Sequence, residues 1–433
     1  MKFFSRVNSR NLIFWGYGLE FFDLYLYIHF AKIINQHFFE GWNQAFLDSF
    51  ALFNLYLLAP VACMVSCYYG DLFGRRKVIV STAFLMAVSS FAIVFLPDSQ
   101  TWGVWAGCAL IGLRVIQGIS LSGETIISWV FVTEQSEIAK TPYYLSILAA
   151  VELGGGIVAL LLGYLTIEYN LYWKIPFIFT SAFIVMALIL RTHLKESEDY
   201  RKHLDEKISM VNSEEIIDFY KKKLFKTRNF LCSLPFFYIY PICFIIAYIY
   251  LGDLLIKKGF LSQSEVFLNN ICLSIIEIAV GLLVGKLFLV FPSWRAQKVG
   301  LIKFSLLFIA SLQPILNPSF FLETREGIFV LQVFMVTLSM ASIVIGSCFK
   351  TLPVIGRCLT AGTSWAIAKI FSFFILLGFN YYNQIGNLEN IFIILSVLTI
   401  GVLIGIYFYI PIENFNEAFF KQSSRKKQLY YKN

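Results

Sequence analysis

Arg114, Gln117 and Glu124 stand inside a long apolar run, GLRVIQGISLSGETIISWVFVTE from Gly112 to Glu134. A charge at bilayer depth costs from ~3 to more than ~10 kcal/mol depending on how it is measured, so such residues face protein or water and mark solute and ion paths. At about 100° per residue, Gln117, Leu121 and Glu124 share one helical face, with Arg114 about 80° around and roughly 15 Å along the axis from Glu124. The spacing predicts that the polar groups point into one cavity, either as a solute or proton site or as an Arg to Glu pair that ties helices together. In GYGLEFFDLYLY, Gly16 to Tyr27, Glu20 and Asp23 lie one turn apart. Two carboxylates in an apolar setting repel each other and resist ionisation, which suits proton loading and release. If they lie at the membrane surface instead, they only solvate or cap helices.

Further along, Glu277 sits mid-span between Leu273 and Leu282. It either pairs with Lys369 across a cavity or supplies an additional cation or proton site. Tyr17, Tyr238 and Trp365 are the aromatic candidates for the wall of a solute site. Tyr238 lies among Tyr240, Tyr248, Pro235 and Pro241, where ring faces accommodate a cation or simply pack. The eight cysteines form no CxxC pair, and no histidine, cysteine and carboxylate cluster has metal spacing. Neither a nucleophile with a nearby base nor a Walker-type phosphate loop is present in the sequence. The expectation is no catalytic residue, no metal, no cofactor and no enzyme activity.

Composition fixes what positions these residues. The 433 residues are 58% hydrophobic and only 14% charged, against about 25% charged in soluble domains. That identifies an all-α integral membrane protein. A span needs about 20 apolar residues, and the pattern predicts twelve transmembrane helices, over 11–34, 44–69, 77–97, 102–132, 142–167, 174–191, 229–251, 265–290, 299–316, 326–349, 359–380 and 391–411. The polar stretch from Arg191 to Arg228 divides them into two six-helix halves, 1–191 and 229–411, joined by a cytoplasmic linker, 192–228, and followed by a basic tail, 412–433. Glu20 and Asp23 interrupt the first apolar run and no small-residue cleavage site follows, so it reads as a retained helix rather than a signal peptide.

The net charge of +8 comes from basic residues between the spans rather than on one domain face, which excludes nucleic acid as a partner and points to the lipid bilayer. With the N-terminus inside, 27 Lys and Arg fall on cytoplasmic segments and 5 on outer ones. That bias sets both termini and the central linker in the cytoplasm.

After the second span comes Gly70-Asp71-Leu72-Phe73-Gly74-Arg75-Arg76-Lys77. Its glycines permit a tight reversal and its basic triplet anchors the loop inside. The motif resembles the G-D-x-x-G-R-R-K signature loop of the major facilitator superfamily. The resemblance implies that Gly70, Asp71, Gly74, Arg75 and Arg76 latch the cytoplasmic face and control alternation. Three stretches narrow it to the metabolite:proton symporter branch. Arg114-x-x-Gln117-Gly118-x-x-x-Ser122-Gly123-Glu124 is similar to R-x-x-Q-G-x-x-x-G-G-E, Gly16 to Asp23 to G-N-x-x-E-W-F-D, and Leu190-Arg191 through Tyr200 to L-R-x-x-L-x-E-[ST]-P-x-F. Tyr17, Phe21, Ser122 and Glu198 depart from those patterns. In the second half the signature loop is reduced to Phe291 through Lys298, and Leu352 to Arg357 keeps one arginine of F-P-x-R-x-R.

The resemblance implies a monomeric transporter of a bacterial-type inner membrane, coupling solute to protons. Arg114, Gln117, Tyr17, Tyr238 and Trp365 would bind solute, and Glu20, Asp23, Glu124 and Glu277 would handle protons. A cationic cavity residue with aromatic walls suits a zwitterion such as proline or betaine first, and a di- or tricarboxylate second. The worn second half leaves a non-transporting solute sensor as another class.

Overall fold

The computed structural model describes residues 9–42, 47, 54–137, 140–169, 171–172, 174–202, 228–291, 296–352, 354, 356–386 and 388–407. The central linker beyond Lys202, the basic tail and most of the worn loop at 292–295 lie outside the described residues, as does most of the first part of the second span.

The described chain is helical throughout. The first half holds α1 (Ser9–Phe38), α2 (Ala59–Phe73, led in by a π-helical turn at Asn54–Leu58), α3 (Arg75–Phe95), α4 (Val104–Glu134), α5 (Thr141–Glu168) and α6 (Ile175–Thr192). A short helix, Glu198–Lys202, follows α6. In the second half, α7 begins at Arg228–Phe244, passes through π-helical turns at Ile245–Tyr250 and ends at Leu251–Lys257. Then come α8 (Gln263–Val290), α9 (Ala296–Leu316), α10 in two pieces (Arg325–Ser339 and Ser342–Thr351), α11 (Arg357–Gln384) and α12 (Leu388–Tyr407). Ten of these are long and apolar enough to cross a membrane, and the predicted spans coincide with them to within a few residues. With no water at that depth to satisfy peptide groups, helices that close their own hydrogen bonds are the stable solution.

Local chemistry marks the ends. Ser262 caps α8 through a capping box with Glu265, satisfying two otherwise orphaned donors. Thr324 caps α10 by accepting from the Gly327 amide at 3.1 Å. Pro60, Pro142 and Pro176 occupy first turns, where no amide hydrogen bond is lost. The irregular stretches fall in α7, which carries Pro235 and Pro241 internally, and in α10, which breaks at Met340 and Ala341. Such interruptions recur where membrane helices line cavities.

The halves meet along α2 with α11 and along α5 with α8 and the second piece of α10. Small residues set the spacing. A side chain at Gly362 would strike Cys67, one at Gly285 would strike Ser146, and lipid-immersed helices associate through just such close backbone approach. Surfaces away from these seams carry Phe84, Phe91, Ile178, Leu283 and Phe374 exposed, as lipid contact requires.

Candidate functional site

Between the halves lies a cavity of about 1210 Å³. Its far rim is formed by Asn35 and Gln36 of α1, Glu40 just after it, Asp253 of α7, and Asn380 and Asn383 of α11, all at or next to helix ends opposite the Gly70–Arg76 loop.

Arg114 and Gln117 line this cavity from α4, and Asp23 faces them from α1. Arg114 Nη1 lies 3.4 Å from Asp23 Oδ2 and donates to Gln117 Oε1 at 2.7 Å. Gln117 Nε2 in turn donates to Ser90 Oγ of α3 at 2.6 Å. The guanidinium stacks 4.0 Å over the Tyr27 ring. The lead-in turn of α2 adds Asn54, whose Nδ2 donates to the Arg114 carbonyl at 3.1 Å. Around these groups stand Tyr17, Tyr25, Trp129, Tyr240, Phe244, Tyr248 and Trp365. Tyr17 accepts a hydrogen bond from Trp129 Nε1 at 2.9 Å.

Several expectations need correction. Arg114 and Glu124 do not pair, and Glu124 does not share the cavity. Glu124 turns to Arg191 at the end of α6, and so does Glu20, whose Oε2 lies 3.3 Å from Arg191 Nη2. Ten residues along a helix carry a side chain to another face and about 15 Å deeper, so one helix serves two separate ionic sites. Tyr238 is not among the residues that line the cavity either. Its hydroxyl donates to the Leu398 carbonyl of α12 at 3.1 Å and its ring packs on Phe371. The neighbours spaced at i, i+4 and i+8, Tyr240, Phe244 and Tyr248, face the cavity instead.

Glu277 does not meet Lys369. It is fully buried behind Tyr248, whose hydroxyl donates to Glu277 Oε2 at 3.2 Å and lies 3.1 Å from Ser274 Oγ. Lys303 of α9 shares its surroundings and donates to the Met340 carbonyl at the α10 break, 2.8 Å away. Lys369 lines the cavity 5.3 Å from the Trp365 ring and interacts with Glu152 of α5, which also adjoins Tyr17. Glu152 is the cavity carboxylate that sequence reasoning passed over, because Gly154-Gly155-Gly156 beside it reads as a packing motif. The packing reading holds as well, since a side chain at Gly155 would strike the Gly18 carbonyl of α1.

At the loop end the cavity is closed by charge. Arg75, fully buried, reaches Asp71 Oδ1 at 3.2 Å, Glu134 Oε1 at 2.9 Å and the Val354 carbonyl at 2.9 Å. Asp71 Oδ2 accepts from the Leu359 amide at 2.9 Å, in the first turn of α11, where the helix dipole favours an anion. Arg357 joins from the second half, 3.4 Å from Glu134 Oε1 and 3.5 Å from Asp199 Oδ2. Glu196 accepts from the Arg75 and Arg76 amides and packs on Gly74, whose φ of 101° and crowding both require glycine. Tyr200 lies under the Arg75 guanidinium at 4.4 Å, and burial pushes its hydroxyl up to about 12. Glu134, Glu196, Asp199 and Arg357 were not named as site residues from sequence. Glu196 and Arg357 stood only as positions of the motifs around Leu190–Tyr200 and Leu352–Arg357, and Glu134 and Asp199 carried no signal beyond lying next to interspan segments.

Among the described residues no group of histidine, cysteine and carboxylates could hold a metal. Two helical halves around an aromatic-walled cavity that holds a few charged residues, clamped by charges at one end, define a multi-pass membrane protein of the carrier type. The chain belongs to the Major Facilitator Superfamily, whose sequence profile matches residues 13–354; the family is one of transporters rather than enzymes.

Among curated relatives, it is 30% identical over 200 residues to a proline/betaine transporter of Salmonella typhimurium, covering 44% of this chain and 40% of that protein. It is 30% identical over 213 residues to a citrate-proton symporter of Klebsiella pneumoniae, covering 46% and 48%. The chain thus spans less than half the length of these curated relatives. Among solved structures, the proton:xylose symporter XylE bound to 6-bromo-6-deoxy-D-glucose superposes with a TM-score of 0.75 at 13% identity, over 92% of this chain and 94% of that one. A partially occluded inward open conformation of XylE from E. coli superposes at 0.63 and 13% identity, over 92% and 96%. These likenesses bear on the fold alone.

Proposed function

We propose that this protein is a proton-coupled secondary transporter that imports a small carboxylate-bearing metabolite or osmolyte by alternating access, with a zwitterion of the proline or betaine kind as the first solute to try. The observation that carries the proposal is Arg114. It is 6% exposed, lines the cavity, and keeps Nε and Nη2 without hydrogen-bond partners among the described residues. A buried guanidinium with unused donors gains from a carboxylate more than from any neutral group. Across the cavity, Glu152 and Lys369 interact among aromatic rings, and the faces of those rings attract an ammonium group. The relatives, a proline/betaine transporter and a citrate-proton symporter, support the same solute range.

In this reading solute binds between the halves, and protonation at Glu20, Asp23 or Glu124 neutralises the interior. The charged latch then opens as the halves rock, with the latch and both termini in the cytoplasm of a bacterial-type inner membrane and one chain as the working unit. A second reading, a di- or tricarboxylate as solute, is favoured by Lys369 as a second cation on the wall.

Uptake into proteoliposomes of labelled proline, betaine, 2-oxoglutarate, citrate and shikimate, with and without an inward proton gradient, is the test. Accumulation of one compound that collapses with a protonophore supports symport and names the solute. Binding without counterflow of any compound would instead identify a solute sensor and refute transport.

A further inference from the structure

Glu20, Glu124 and Arg191 form a cluster that does not border the cavity. All three are essentially sealed, at 1%, 1% and 0% exposure. Arg191 Nη2 lies 3.3 Å from Glu20 Oε2 and contacts Glu124 Oε1, while Nη1 donates to the Ile13 carbonyl at 3.2 Å. Gly16 makes room for it, because any side chain there would collide with the guanidinium.

The other charges nearby are already matched or are neutral. On α1, Tyr17 faces Arg191 and Asp23 is paired with Arg114. On α5, Glu152 adjoins Tyr17 and Lys369. On α3 and α4 the buried polar residues Thr82, Ser120 and Ser128 carry no charge. Among the described ion pairs, Arg191 is the cation on both carboxylates. The cluster therefore holds two acids against one base, whereas Asp23 and Arg114 balance one to one. Glu20 Oε1 is buried without a hydrogen-bond partner among the described residues, which leaves an oxygen for a proton.

We propose that Glu20 and Glu124 share a single proton, that Arg191 is the residue positioning them, and that this cluster rather than the Asp23–Arg114 pair is the proton-coupling site. The assignment rests on the proton-coupled reading above. With both carboxylates ionised the buried cluster carries one net negative charge; one proton cancels it, and like charges about one cation favour sharing. Loading forms one carboxyl O–H bond as a hydronium ion gives up its proton and becomes water. Unloading breaks that bond as water on the other side takes the proton. Arg191 stays charged throughout. Asp23 and Arg114, needing no proton for balance, are left to the solute.

The test uses purified full-length wild type, Glu20→Gln, Glu124→Gln and Arg191→Lys, each passing size exclusion as a single peak. Infrared spectra at neutral pH, taken as wild type minus variant so that Glu277 and other buried carboxyls cancel, should show the carbonyl band of one protonated carboxylic acid kept in Arg191→Lys and lost in either glutamine variant, because one acid then balances one base. In proteoliposomes both glutamine variants should lose gradient-driven accumulation at least tenfold, while Arg191→Lys recovers accumulation. Persistence of the band in both glutamine variants, or wild-type accumulation by either, overturns the assignment. Should wild type accumulate no compound of the panel, the transport reading fails, and the infrared arm still decides whether the proton is shared.

Discussion

The latch offers a perturbation whose size follows from its contacts. Glu134 is 3% exposed, and its Oε1 holds Arg75 at 2.9 Å and Arg357 at 3.4 Å, one from each half, while Oε2 accepts from Ser197. Removing one partner of a buried ion pair costs about 3 to 5 kcal/mol. In Glu134→Gln the amide oxygen still accepts a hydrogen bond, and Arg75 and Arg357 keep Asp71 and Asp199, so the loss to the latched state falls to about 2 to 3 kcal/mol. At 1.4 kcal/mol per tenfold, the latched-to-open ratio drops about 30- to 150-fold. Cys358 is a native reporter: it is fully buried at the start of α11 and its Cβ faces Gly70 across the seam. With the other cysteines replaced, a maleimide should label Cys358 faster in Glu134→Gln by that factor when opening is fast relative to the chemistry. Labelling within threefold of the parent, in protein of unchanged thermal stability, would refute the claim that Glu134 clamps the two halves.

Other expectations are simpler. Arg114→Ala should abolish gradient-driven uptake while the folded protein is still recovered at normal yield, and full uptake would sink its role at the solute carboxylate. Asp71→Asn weakens the contact to the Leu359 amide and should lower maximal transport rate more than solute affinity; an unaltered maximal rate argues against latching. Tyr240→Ala should weaken solute binding by about tenfold, the value of a lost aromatic wall, whereas Tyr238→Phe loses one hydrogen bond of about 1 kcal/mol and should leave binding as it was. Equal effects of the two in a binding titration would count against the cavity geometry. Gly155→Leu forces a side chain onto the Gly18 carbonyl and should lower thermal stability by the equivalent of about 1 to 3 kcal/mol, visible as a lower melting temperature in detergent.

The membrane class, the helix positions, the division into halves and the signature loop were all legible in the sequence. These depend on runs of apolar residues and on local turn chemistry, and the bilayer makes both nearly obligatory. Arg114 and Gln117 as cavity residues were legible too, because a charge at that depth has few places to go. Which carboxylate answers which cation was not. Helical periodicity places Glu124 on a face but says nothing of what α6 brings there, and Arg191 looked like the first residue of a polar linker rather than a sealed guanidinium. Glu152 was hidden by its glycines, and Tyr238 stood in for Tyr240 because residues two apart on a helix face nearly opposite ways and the tyrosine-rich α7 does not show in its sequence which face meets the cavity. Sequence by itself determined what must be buried in lipid. Only the tertiary structure decided the pairing of buried charges, since a pair is chosen by which helices touch, and contacts between residues dozens to hundreds of positions apart leave no periodic trace in the chain.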